Sequence, residues 1–190
     1  MNNHLSFEVT DWKEIVRLSL KLSKLIRENS FSPDLIIGIL KGGAVVSRIV
    51  SDFLGKELFT LKISFYEGIG QTGETTITQE LNADVADKKV VIVDDIVDKG
   101  DTLALAFNYF QKKGAEEIRT GVLHRKPWTD FNPDFWVKET EKWVVYPWEH
   151  FEFLRLGNKK LNSNLGTKNK KRLKRAMQKV KAKIQEFSDM

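Results

Sequence analysis

No cysteine occurs among the 190 residues, which excludes disulfides and thiolate chemistry. Histidine is scarce too. His4, His124 and His150 stand far apart and form no zinc-ligand spacing. Long apolar runs are missing, since none approaches the ~20 residues that a membrane-spanning helix needs. The amino terminus lacks the basic and apolar regions of a secretory signal. A cytoplasmic protein with no membrane contact is the expectation.

What is present suits a globular fold. Apolar residues make up 41% of the chain and charged residues 30%, enough for a core and for solubility; the length fits one domain plus an extension. The net charge of +5 hides an asymmetry. From Gly157 onward eleven Lys and Arg stand against Glu186 and Asp189, whereas the preceding 156 residues carry 20 basic and 24 acidic side chains. A mildly acidic body and a strongly basic tail need separate explanations. The expected boundaries are a body over 1–156, an Asn-, Gly- and Ser-rich linker over 157–167, and a basic amphipathic helix over 168–190.

Along the body, strands and helices alternate. Leu5, Phe7 and Val9 read as a short strand, and Asp11 with Glu14 forms a helix capping box. Ile15, Leu18, Leu22 and Leu25 share one helical face. Residues 35–40 read as a buried strand ending in Lys41-Gly42-Gly43, with apolar residues at helical spacing after it. Residues 59–65 alternate as a third strand, 118–123 form another, and 134–137 and 143–146 complete the set. This order predicts an α/β fold with a mainly parallel sheet flanked by helices.

The most informative run is Val90-Val91-Ile92-Val93-Asp94-Asp95-Ile96-Val97-Asp98-Lys99-Gly100-Asp101-Thr102-Leu103. Its β-branched opening has the look of a strand buried on both faces. Two adjacent carboxylates follow, then a glycine turn, then helical spacing through Leu103, Leu105, Ala106 and Phe110. Adjacent acids at a buried strand end repel each other and lose hydration unless a ligand answers them. Open α/β sheets bind ligands at strand carboxyl ends, and a helix start offers unpaired N–H groups to a phosphate.

The run resembles the phosphoribosyl-pyrophosphate (PRPP) binding motif of the type I phosphoribosyltransferases, and the chain is similar to their purine (6-oxopurine) branch. That resemblance implies that Asp94 and Asp95 take the ribose hydroxyls, and that Asp98, Lys99, Gly100, Asp101 and Thr102 cradle the 5′-phosphate. Lys99 departs from the Thr or Ser usual there, which removes a hydroxyl donor and supplies a point charge. Leu40, Lys41, Gly42 and Gly43 resemble the pyrophosphate loop, in which the peptide before the lysine is cis. Lys126-Pro127 and Trp143-Val144-Val145-Tyr146-Pro147-Trp148-Glu149 are similar to the base-binding hood. By the same resemblance Lys126 donates to the purine O6, Trp143 stacks on the ring, the Val144 backbone reads the Watson–Crick edge, and Glu149 sits near the exocyclic group or the metal. Trp148 is read as a core aromatic, and His124 and His150 as structural.

The family resemblance further implies transfer of phosphoribose from PRPP to hypoxanthine, guanine or xanthine, with Mg²⁺ held by Asp94, Asp95 and Glu149, in a homodimer or higher homo-oligomer. Asp98 resembles the acid facing the purine N7, and Tyr66 the catalytic-loop residue. Residues 67–80 are too polar and glycine-rich for core and suit a mobile lid. Within them residues 68–73 match the dinucleotide fingerprint Gly-x-Gly-x-x-Gly, but that motif must open a helix, and Thr75, Thr76, Ile77 and Thr78 favour extended chain. An oxidoreductase reading is therefore set aside.

The tail has no counterpart in the resemblance. Leu173, Met177, Val180, Ile184 and Phe187 form a heptad-like stripe, with Lys and Arg on the other faces. Packing on a sister subunit or on the body is one reading. Nucleic-acid or anionic-surface contact is the other. A PRPP- or purine-sensing regulator with such a tail is the alternative to an enzyme.

Overall fold

The computed structural model describes residues 5–66, 74–163 and 165–188. In chain order the elements are β1 (Phe7–Val9), α1 (Trp12–Glu28), β2 (Leu35–Leu40), α2 (Gly43–Leu54), β3 (Glu57–Tyr66), β4 (Glu74–Gln79) and β5 (Lys89–Val97). They continue with α3 (Asp101–Lys112), β6 (Glu117–Arg125), β7 (Phe135–Glu139), β8 (Trp143–Val145), a 3₁₀ turn at Pro147–Glu149, α4 (His150–Leu161) and α5 (Thr167–Ser188). The chain divides into two compact units, Val16–Thr140 and the combination of Met1–Ile15 with Glu141–Met190. Among the described residues no helix is long and apolar enough to cross a membrane.

The larger unit is built on a six-stranded sheet of order β4-β3-β2-β5-β6-β7. All neighbours are parallel except β3 and β4, as strand–helix alternation requires. On one face Ile37, Ile39, Leu61, Val90, Ile92 and Val122 pack with Leu103, Ala106 and Phe110 of α3. The other face is cut low by two glycines. A side-chain carbon at Gly38 would stand 2.9 Å from the Ser47 Cβ of α2, and one at Gly121 would stand 3.3 Å from the Leu22 Cδ1 of α1. Helices therefore cover both faces, as expected.

Some local readings change. Ile26, fully buried, and not the half-buried Leu25, completes the inner face of α1. Strand β5 runs on through Val97, pairing Asp94 with Val122 and Val97 with Arg125; the ladder bonds main-chain groups and is indifferent to side-chain charge. Within the expected lid, Glu74–Gln79 forms β4, antiparallel to β3, because its β-branched residues suit a pleated edge and Ile77 packs against the core. Residues 67–73, with the fingerprint match, lie outside the described residues.

The smaller unit holds β1 and β8, paired in parallel with Phe7 opposite Trp143 and Val9 opposite Val145. Asp11 caps α1 as read, with the Glu14 N–H donating to Asp11 Oδ1 at 2.8 Å. Leu173, Ala176, Met177 and Val180 bury the apolar stripe of α5, while Lys183 Nζ lies 2.7 Å from Asp11 Oδ2. The expected linker begins too early. Gly157 is inside α4, where a side-chain carbon would stand 2.8 Å from Met177 Sδ; it is a close-packing glycine and not a hinge.

Candidate active site

Parallel strands deliver their carboxyl ends to one edge of the sheet, and β2, β5 and β6 bring three sequence motifs there. The turn after β2 carries Lys41, Gly42 and Gly43, and the Leu40–Lys41 peptide is cis, as the resemblance implied. Gly42 and Gly43 pack on the acid pair. A side-chain carbon at Gly42 would stand 2.5 Å from the Asp95 Cγ, and one at Gly43 would stand 2.9 Å from the Asp94 Oδ1. Only glycine leaves room there.

Asp94 and Asp95 are each 8% exposed. The Asp95 N–H donates to Asp94 Oδ1 at 2.9 Å, and the Gly43 N–H also faces Asp94. Burial, followed by the charge of Asp95, holds the Asp94 carboxyl well above the usual range. Burial likewise pushes Asp95 up to about 6. Two carboxyls this close and this dry do not ionise together freely, so the pair is built for a partner that compensates its charge or donates to it.

The loop after β5 follows at once. Gly100 precedes α3 with φ of 110°, a region open chiefly to glycine, and a side-chain carbon there would overlap the Cβ of Phe131. The first-turn N–H groups of α3 have no intrahelical acceptor and can face an anion. Lys99 is exposed, and its carbonyl accepts the Asp130 N–H at 3.1 Å and the Thr129 hydroxyl at 3.3 Å. Residues 128–131 thus brace the loop, a support that reading the sequence missed.

After β6, Lys126 is buried and its N–H donates to the Val97 carbonyl at 3.0 Å. Its Nζ lies 5.3 Å from the centre of the Trp128 ring. The Trp128 Nε1–H donates to Asp98 Oδ1 at 2.7 Å. Trp128 was not singled out from the sequence; an aromatic two residues past the motif lysine was the available signal. Tyr66 ends β3, and its side chain lies outside the described residues.

The hood residues from Trp143 to Glu149 belong to the smaller unit, whereas Lys126 lies in the larger. Trp143 is 61% exposed and Val144 is buried. Trp143 and the half-buried Glu149 line one groove of about 670 Å³, together with Phe7, Phe153 and Leu156. Trp148 stacks on Tyr146 at 4.7 Å and 5°, in keeping with a packing role. The buried His150 Nε2 lies 3.2 Å from the Thr10 carbonyl, also a structural contact.

Comparison with known proteins accounts for this arrangement. A family model described as phosphoribosyl transferase domain matches residues 7–153. The chain belongs to the phosphoribosyltransferase family. This phosphoribosyltransferase is 31% identical over 135 residues to a hypoxanthine-guanine phosphoribosyltransferase of Aquifex aeolicus, covering 65% of the chain and 74% of that relative. It is 30% identical to the Saccharomyces cerevisiae protein of the same name, covering 65% and 77%. Among solved structures, a purine phosphoribosyltransferase from Pyrococcus horikoshii superposes with a TM-score of 0.70 at 36% identity, covering 76% of this chain and 94% of that one. The type I phosphoribosyltransferase fold follows, and α5 lies beyond the matched residues.

Proposed function

We propose that the protein transfers the phosphoribosyl group of PRPP to a 6-oxopurine, releasing pyrophosphate and the nucleoside 5′-monophosphate. One observation carries the reading: the turn at Gly42 and Gly43 lies closed onto two adjacent, buried aspartates whose carboxyls burial raises. A ribose diol and a cation are natural answers to such a pair. The relatives named for hypoxanthine and guanine support a purine as acceptor.

In this reading Asp94 and Asp95 accept the ribose hydroxyls, and the amides of residues 98–102 hold the 5′-phosphate. Leu40, Lys41, Gly42 and Gly43 receive the pyrophosphate. Purine nitrogen bonds to the anomeric carbon as the carbon–oxygen bond to pyrophosphate breaks. Positive charge develops at that carbon, so the protein acts by positioning and by charge neutralisation. Asp98 takes the purine N7 proton and Lys126 donates to O6.

Among the described residues no cluster of three His, Asp or Glu could hold a metal alone. Two adjacent carboxylates facing substrate oxygens nevertheless suit Mg²⁺, which keeps waters and few protein ligands. Asp94 and Asp95 would hold it, and when bound it would neutralise the leaving pyrophosphate.

A second reading is a PRPP-binding regulator whose tail contacts nucleic acid. The observation favouring it is the outward face of α5, where Lys168, Lys171, Lys174, Arg175, Lys179 and Lys181 are exposed. Steady-state turnover with PRPP, Mg²⁺ and hypoxanthine, guanine or xanthine separates the two. Monophosphate formation is expected. PRPP binding without turnover would select the regulator.

A further inference from the structure

Helix α5 carries charge that the smaller unit does not answer. From Lys168 to Lys181 it has eight basic side chains and no acidic one. Like charges three and four residues apart weaken a helix. Burial of Leu173, Ala176, Met177 and Val180 holds it in place, and further along Lys183 Nζ turns to Asp11 Oδ2 at 2.7 Å. Among the described residues neither Arg175 nor Lys179 forms an ion pair. Cations kept unpaired against the helix's own preference call for an anionic partner.

Three of the cations line one groove. Arg172, Arg175 and Lys179, at steps of three and four, stand on one flank of α5 over about 10 Å of its axis. They face Ser6, Phe7 and Val9 across a groove of about 230 Å³. Arg172 Nη1 donates to the Leu5 carbonyl at 3.3 Å, which uses one of its five N–H donors and fixes that wall. Phe7 and Val9 share one face of β1 and Glu8 the other, and no described carboxylate lines the groove. Phe7 is itself steadied edge to face by Phe153, with ring centres 5.4 Å apart.

A wall of cations over an apolar and aromatic floor is the makeup of a channel for single-stranded nucleic acid, where phosphates meet the cations and bases meet the rings. A free phosphate would answer this wall and leave the rest of α5 repelling itself. A lipid surface fits less well, because the apolar stripe of α5 is already buried and has nothing to insert. We propose that the groove between β1 and α5 docks a single strand of nucleic acid, with its phosphates on Arg172, Arg175 and Lys179 and its bases toward Phe7. Docking here is independent of the reaction proposed above, since none of these side chains belongs to the PRPP motifs.

Fluorescence anisotropy of the full chain with a short labelled RNA of mixed sequence, followed across a salt series, tests the site. The logarithm of affinity should fall linearly with the logarithm of salt concentration. Arg175→Gln with Lys179→Gln should make that slope shallower by about 1.4, at about 0.7 for each cation lost on a single strand. The charge-keeping pair Arg175→Lys with Lys179→Arg should return it to the wild-type value. Purine turnover and melting temperature should not fall in either pair, because both positions are exposed. Removing two exposed charges from α1 instead, Lys21→Gln with Lys24→Gln, should leave the slope unchanged. DNA of the same sequence should bind comparably, since charge and base faces are read and the 2′-hydroxyl is not.

No RNA binding at low salt, or a wild-type slope in the glutamine pair on α5, would overturn the docking site. An equal loss in the α1 pair would also overturn it, showing diffuse charge without a groove. So would tighter binding to a duplex than to a single strand, or to phosphatidylserine vesicles than to RNA. The expected slopes in a chain that turns over no purine would uphold the groove and remove only the reaction.

Discussion

Gly42 lies against the carboxylate of Asp95 so closely that a side-chain carbon would stand 2.5 Å from its Cγ. The pyrophosphate turn and the ribose acids therefore form one packed object. Gly42→Ala must displace one or the other. Turnover should fall more than tenfold, with a stability cost of about 1–3 kcal/mol from overpacking. Thermal melting and steady-state kinetics check this, and an alanine variant with native values of both would show that the contact is slack.

The acid pair should be useful and destabilising at once. Burial raises both carboxyls in the folded protein, Asp95 to about 6 from an ordinary 3.8. Stability from such groups is fully present below the unfolded value and is lost as pH rises through the folded one. Asp95→Asn should therefore raise stability at pH 7.5, by an amount on the order of 2 kcal/mol, while abolishing turnover. The gain should vanish near pH 4. Denaturant melts at both pH values read the difference, and a variant less stable at pH 7.5 would contradict the electrostatic account.

Position 157 tests the helix pair of the smaller unit. Alanine there gains about 1 kcal/mol of helix propensity over glycine, whereas Met177 must yield from a contact 2.8 Å away. Its thioether is the flexible end of an adaptable side chain, so Gly157→Ala should be close to neutral. Gly157→Val adds bulk that one rotamer shift cannot absorb and should destabilise by about 1–3 kcal/mol. Limited proteolysis should then release α5 faster than from the wild type.

His150 gives a second pH dependence of opposite direction. Burial lowers its pKa, so the folded state favours the neutral ring. Its contribution is present above the ordinary value near 6.5 and is lost as pH falls through the folded value. The charged groups facing it are Lys183 and Asp11. Melting temperature should drop as pH is lowered from 7 to 5, and His150→Gln should flatten that slope. An equal slope in the variant would assign the loss to other groups.

Much of this was legible in order and spacing. The β-branched run before Asp94, the glycine turn after Leu40 and the Asp11 cap each announce a local structure that depends on near neighbours. What was hidden depends on distant ones. Gly157 resembles a linker residue until Met177 is seen above it. Strand β5 passes through two acids because β6 supplies its main-chain partners. Trp128 gains meaning only from Asp98, thirty residues earlier. Sequence patterns report the period of an element; they do not report which side chains a loop will fold against.

The central claim is that PRPP seats its ribose on Asp94 and Asp95 and its 5′-phosphate on the amides of residues 98–102. A crystal of the protein soaked with PRPP and Mg²⁺ tests it directly. The account predicts both ribose hydroxyls within hydrogen-bonding reach of the two carboxylates and the phosphate at the start of α3. Density for PRPP elsewhere on the molecule, or none at saturating concentration, would contradict it.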